Sequence, residues 1–280
     1  MTELDFAERI DTRELSFNTT QEFKPVVTVD RTHLPVALRH GMELYWDDSS
    51  PKKRLDDRGT SQFTRFVNAR VEGKIAEVAF SIFLFRYFGI DSQVDWRIYG
   101  DYEVTDDGDL QYIVGEDGEQ YKLATDLDVK KTKPYNQWLA IREEIFENKL
   151  DDDAPIVLAK HQIKNDLDVD DWANSTDWND VDDDDEFRDR LLEFADEAFP
   201  VRVTFTGTAY KDEFTDRIAQ GERLYDPDAG SSIGPPMKRD NRGIHVSDLR
   251  NTVPRWNRIV EDVVGDNPID WRPIPVVDKV

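Results

Sequence analysis

Thr125-Asp126-Leu127-Asp128-Val129-Lys130-Lys131 is the run on which the fold turns. In a strand, successive side chains face opposite ways, so Asp126, Asp128 and Lys130 share one face while Leu127 and Val129 point to the core. Two carboxylates and an ammonium in a row, with apolar packing behind them, are costly unless they meet water, a metal or a charged substrate. The run is therefore a candidate site as well as a candidate strand.

Upstream, Val71, Ile75, Val78, Ala79, Ile82, Phe83 and Phe85 recur at helical spacing and Gly89 follows as a stop, which predicts a helix over 71–88. Strands are expected over 94–99, 110–114 and 121–131, the last two joined as a hairpin by Asp117-Gly118. Downstream, the pattern predicts a helix over 135–148, a strand over 156–163, an amphipathic helix from Glu186 and a strand over 201–206. A final helix begins near Thr252, takes Pro254 in its first turn, and carries Trp256, Ile259, Val260, Val263 and Val264 before Gly265. Alternating strands and helices give an α/β or α+β class with a mixed central sheet flanked by helices. Pro25, Pro35 and Pro51 break the first sixty residues into short elements. We divide the chain into an N-terminal extension (1–60), a core (61–210) with an acidic insertion (165–197), and a C-terminal helical and loop elaboration (211–280).

The 280 residues carry 60 Asp and Glu against 36 Lys and Arg, a formal charge of −24. Such an excess disfavours folding by self-repulsion, yet seven Trp, nine Tyr and fifteen Phe supply apolar packing along the chain. Both features fit a folded, halophilic protein in molar salt, where the Debye length falls to about 3 Å. The acidic segment from Asn165 to Glu197 has a net charge of −13 and is expected as a solvated insertion. Without cysteine, disulfides and thiolate metal sites are excluded. No apolar run is long enough to cross a membrane, and the N-terminus lacks a basic export region, so a cytoplasmic location is expected. His33, His40, His161 and His245 show no metalloprotease spacing, and no P-loop is present. Pro235 and Pro236 remove amides that a phosphate cradle at Gly230–Gly234 would need, which makes that stretch a surface loop.

Asp109 opens the strand before the quoted run and can stand beside Asp128. Glu77 lies on the strong helix, one turn from the small residues Gly73 and Ser81, with its carboxylate toward the sheet. Here the chain resembles the PD-(D/E)XK, or restriction-endonuclease-like, nucleases. The matching residues are Gly73-Lys74-Ile75-Ala76-Glu77 on the helix, Gly108-Asp109 as first motif and Asp128-Val129-Lys130 as second, in an αβββαβ order over roughly residues 70 to 164. A looser likeness lies at Phe205–Thr208 and Lys211–Phe214. Gly108 replaces the family's proline, and Asp101, Asp106 and Asp107 compete with Asp109 for the role of first ligand.

The resemblance implies a metal-dependent endonuclease acting on DNA, with RNA and a homodimer left open. Asp109 and Asp128, with Glu77 and the Val129 carbonyl, would hold Mg²⁺ or Mn²⁺, and Lys130 would orient or deprotonate the attacking water. Phosphate backbones call for cations. Two segments supply them, 52–74 and 238–258, each with a net charge of +4. Lys74, Lys131, Lys133, Arg239 and Arg242 are the expected nucleic-acid contacts, in a groove beside Glu77 and Lys130. A fold of this type that has lost its chemistry, and an acidic mimic of nucleic acid, are the rival readings.

Overall fold

The computed structural model describes residues 9–11, 15, 17–47, 63–98, 109–226 and 230–276. Strand β1 (Val26–Val29) precedes helix α1 (Leu34–Trp46), in which Pro35 occupies the first turn, where its missing N–H is harmless. Proline here starts a helix instead of interrupting one, so this part of the chain holds a longer element than expected. Helix α2 (Phe63–Phe88) begins eight residues before the predicted start at 71. Every residue from Ile75 to Leu84 is buried, as expected of a helix covered on all sides. Glu77 is the one ionisable side chain in that stretch.

Strands β2 (Asp91–Val94), β3 (Leu110–Val114) and β4 (Gln120–Tyr121) form a small antiparallel sheet. The expected strand over 94–99 stops at Val94, because Asp95 turns the chain by accepting the Arg97 N–H at 3.0 Å; Tyr99 lies outside the described residues. The run 121–131 is two strands, not one: β4 pairs with β3 around the Asp117-Gly118 turn, whereas β5 (Asp128–Thr132) joins another sheet. Predicted helix 135–148 is likewise corrected, to strand β6 (Trp138–Arg142) and a short helix α3 (Glu143–Asn148). A partner strand decides this: residues 241–245 lie antiparallel to β6 over its full length, satisfying its backbone as strand.

Strand β7 (Ile156–Lys160) is parallel to β5 and is followed by helices α4 (Trp178–Asp182) and α5 (Asp185–Ala198), then by strand β8 (Val201–Ala209). The central sheet runs β1-β8-β7-β5, parallel only between β7 and β5. Beyond it come β9 (Asp216–Ile218), the β10 (Leu224–Asp226) and β11 (Ser231–Ile233) hairpin, β12 (Asn241–His245) and helix α6 (Val253–Val264). Strands β6-β12-β9 form a further antiparallel sheet. The chain is thus a mixed α/β protein.

One face of the central sheet buries Val27, Val29, Val157, Ala159, Val203 and Phe205 in the main core with α1, α2 and α6. Ile156, Leu158 and Ala209 on the opposite face join a second core with Leu139, Ile141, Phe146 and Ile244. The acidic segment is not a solvated insertion. Leu167, Val169, Trp172, Trp178, Val181 and Phe187 belong to the main core, and Asn68 on α2 bonds the backbone of Leu167 twice, at 2.8 and 3.1 Å. Alternation places the carboxylates of this segment in solvent and its apolar residues inside. No helix among the described residues is long and apolar enough to cross a membrane.

Candidate active site

Parallel pairing with β7 determines which backbone groups of β5 are free. The Asp128 N–H reaches Pro155 O at 3.1 Å, and Thr132 O receives the His161 N–H at 3.1 Å, so even-numbered residues of β5 bond β7. Val129 and Lys131 therefore turn their peptide groups to the open edge of the strand. Asp109 sits on that edge: its N–H donates to Leu127 O at 3.1 Å and its Oδ2 accepts the Val129 N–H. Start of β3 and start of β5 are thereby locked together, although they belong to different sheets.

This contact sets Asp109 against the strand that carries Asp128 and Lys130. Burial pushes the Asp109 carboxyl well above the usual carboxylate range; the charges of Glu77 and Asp128 push it the same way, and Lys130 and the Val129 amide oppose them. The other three candidates therefore each act on the charge of Asp109, with Asp128 and Lys130 on the face of β5 away from α2. Lys130 Nζ also pairs with Asp128 across one face of β5. Asp126 precedes the strand, so the predicted row of three charges is a row of two.

Glu77 acts on this carboxyl from α2, with only 10% of its side chain exposed. Its Oε2 accepts from Lys74 Nζ at 2.6 Å, and Lys74 also donates to Asp95 O. A Cβ on Gly73 would meet nothing within 4 Å, so the glycine leaves open space there and no backbone packs on it. Ser81 is used otherwise, in a buried pair with Ser92.

Asp95 was not singled out, and it belongs to this cluster. It is 3% exposed, holds Arg97 through both carboxylate oxygens at 2.8 Å, and its N–H donates to Asp109 O at 3.1 Å. The Asp-x-Arg spacing was visible in the chain but indistinguishable there from an exposed pair. Asp101, Asp106, Asp107 and Gly108 lie outside the described residues.

Among the described residues, no three His, Asp or Glu side chains gather closely enough to hold one metal ion. What is present is the half-buried Asp109 carboxyl, whose ionisation the charge of Asp128 opposes, at an edge where Val129 presents its peptide group. A carboxyl whose ionisation is opposed by two neighbouring carboxylates is relieved equally by a proton or a cation, and hard divalent ions prefer such oxygen donors.

The expected DNA contacts fare differently. Lys131 is tied to Glu72 on α2, above a buried His161 whose Nε2 lies 2.9 Å from Glu72 O. Lys133 is exposed just past β5. Arg242 pairs with Glu143 and Glu147 at 3.4 and 3.1 Å, and Arg239 with Glu144 at 4.0 Å, so both face the acidic helix α3. Arg250 and Arg255 share Glu213. Lys52, Lys53, Arg54 and Arg58 lie outside the described residues.

No protein-family model, curated protein or solved structure matches the chain.

Proposed function

We propose that the chain is a metal-dependent nuclease that hydrolyses phosphodiester bonds in DNA, built on a restriction-endonuclease-like core. The observation that carries this reading is the Asp109 carboxyl held on the open edge of β5, beside the Asp128–Lys130 pair of that strand and under the charge of Glu77. Its support is the position of each candidate: Glu77 on α2, Asp109 at the start of β3, and Asp128 and Lys130 on β5, which runs parallel to β7. Asp109 and Asp128, with the Val129 carbonyl, are the groups that would hold Mg²⁺ or Mn²⁺. Such an ion polarises the phosphoryl oxygen and acidifies a bound water.

The protein's own groups do the rest. Lys130, 39% exposed at its side chain, is accessible to substrate while Asp128 holds its ammonium in place. From there it orients the attacking water and balances charge that grows on the phosphoryl oxygens. Glu77 sits too deep to meet substrate freely. It fixes Lys74, and its charge keeps Asp109 in need of a cation.

The test is incubation of plasmid with Mg²⁺ in molar KCl, comparing the wild type with Lys130→Ala and Asp128→Asn. Nicking or linearisation by the wild type, lost in both variants, is the expected outcome. Cleavage that persists unchanged in Lys130→Ala refutes the assignment, and binding without any cleavage supports a fold that has lost its chemistry.

A further inference from the structure

The outer face of the central sheet, the one opposite α2, is covered only in part. Ile156, Leu158 and Ala209 lie under the second core. The other half is built from two rows across the strands: Thr132, Lys160, Thr204 and Val26 in one, Arg202 and Thr28 in the next. Val26, Thr28 and Arg202 are exposed, and Thr204 and Thr132 are half-buried. Lys130 shares this face one row away, opposite Leu158.

Two features of this surface are unusual for a chain of charge −24. Asp128 is the only carboxylate among the outward positions of the four strands. Neither Lys160 nor Arg202 has a carboxylate within ion-pair distance among the described residues. Lys160 is only 9% exposed, and its ammonium meets nothing better than the neutral Gln137 Oε1 at 3.3 Å. Burial and then the nearby Lys24 push its pKa down, as happens to a cation that lacks its counter-ion. Thr204 separates Lys160 from Arg202, and Thr132 and Thr28 flank the two cations on the outer strands.

Strands lie about 4.8 Å apart and outward residues recur about every 6.6 Å along each, so from Lys130 on β5 to Arg202 on β8, two strands across and two rows along, is roughly 16 Å. At about 3.4 Å of rise per nucleotide that distance spans about five phosphates of one strand. We propose that this half-face binds the phosphate backbone of DNA leading away from the Asp128–Lys130 pair, with Lys160 and Arg202 as its anchoring cations. The inference rests on the nuclease reading of the site and replaces Arg239 and Arg242, which pair with the carboxylates of α3, as the substrate track.

The test uses a fluorescein-labelled DNA duplex and anisotropy, in EDTA so that nothing is cut, over a KCl series reaching molar concentration. Lys160→Gln and Arg202→Gln are each expected to weaken binding on the order of fivefold to tenfold, and each to reduce the log–log salt slope by about 0.9. Arg188→Gln, on α5 away from this face, serves as the control and should leave both unchanged. Arg202 is exposed, so its variant folds and keeps the test valid if Lys160→Gln does not. Affinity and slope within about twofold of wild type in Arg202→Gln, or no binding by the wild type, would overturn the proposal. The plasmid assay reads the nuclease assignment separately. Lys130-dependent cleavage with a silent face refutes only the track, whereas Lys160- and Arg202-dependent binding without cleavage refutes only the nuclease.

Discussion

Asn68→Leu tests whether the acidic segment is structural. Asn68 is 8% exposed on α2 and its amide makes three hydrogen bonds: Nδ2 donates to Thr64 O and Leu167 O, both at 2.8 Å, and Oδ1 accepts the Leu167 N–H at 3.1 Å. The amide thus acts as a peptide would in a sheet, engaging both backbone groups of Leu167. Leucine has nearly the same shape and none of these bonds. Each of the three lost bonds is worth about 1 kcal/mol, and the buried N–H and C=O of Leu167 left without partners cost a further 1–3 kcal/mol, so the total is roughly 4–6 kcal/mol. That is a large part of the ~5–15 kcal/mol stability of a typical domain, and far above the ~0.5 kcal/mol of an ordinary surface change. Urea unfolding in molar KCl, followed by tryptophan fluorescence, measures it, with Trp172 and Trp178 reporting on the segment itself. A loss under about 1 kcal/mol, with the midpoint unmoved, would show that residues 165–184 do not contribute to the core and that the argument from Asn68 is wrong.

Asp109 has its pKa raised, so its protonated form favours the fold: that contribution is present below the ordinary carboxylate range and is lost as pH rises through the raised value. Mg²⁺ should therefore raise the melting temperature more at mildly alkaline than at mildly acidic pH, and Asp109→Asn should abolish the difference; an unchanged Mg²⁺ response in that variant refutes the ligand assignment. His161 has the opposite sign. Burial and Lys131 lower its pKa to about 3, so stability present above 6.5 is lost as pH falls, by roughly 2 kcal/mol at about pH 5. Chemical denaturation of His161→Gln at the two pH values should show that much less acid loss, and an identical loss would count against a neutral buried imidazole. Gly265 ends α6 at φ +56, and a Cβ there would lie 2.4 Å from that of Ala124. Gly265→Ala should cost about 2 kcal/mol or more, since both the left-handed backbone and the close approach oppose a side chain; a melting temperature equal to wild type would contradict it.

Amino-acid pattern alone determined the elements whose signal is local. The apolar repeat in 71–88, the Thr252–Gly265 helix with its proline start and glycine stop, the strand expected over 156–163, which ends at Lys160, and the alternating strand at 201–206 need no distant partner to be recognised. The charged face at Asp128 and Lys130 was legible for the same reason, since alternation in one strand places both. Tertiary structure alone decided the rest. Trp138–Arg142 becomes a strand because β12 offers it a ladder, and 121–131 divides because β3 and β7 compete for its two halves. The acidic segment joins the core because Asn68 and Thr64, a hundred residues earlier, receive it. Whether a cation is free or neutralised depends on which carboxylate the fold sets beside it. Arg242 and Lys160 look alike in one dimension, and in three the first is paired twice while the second faces an amide.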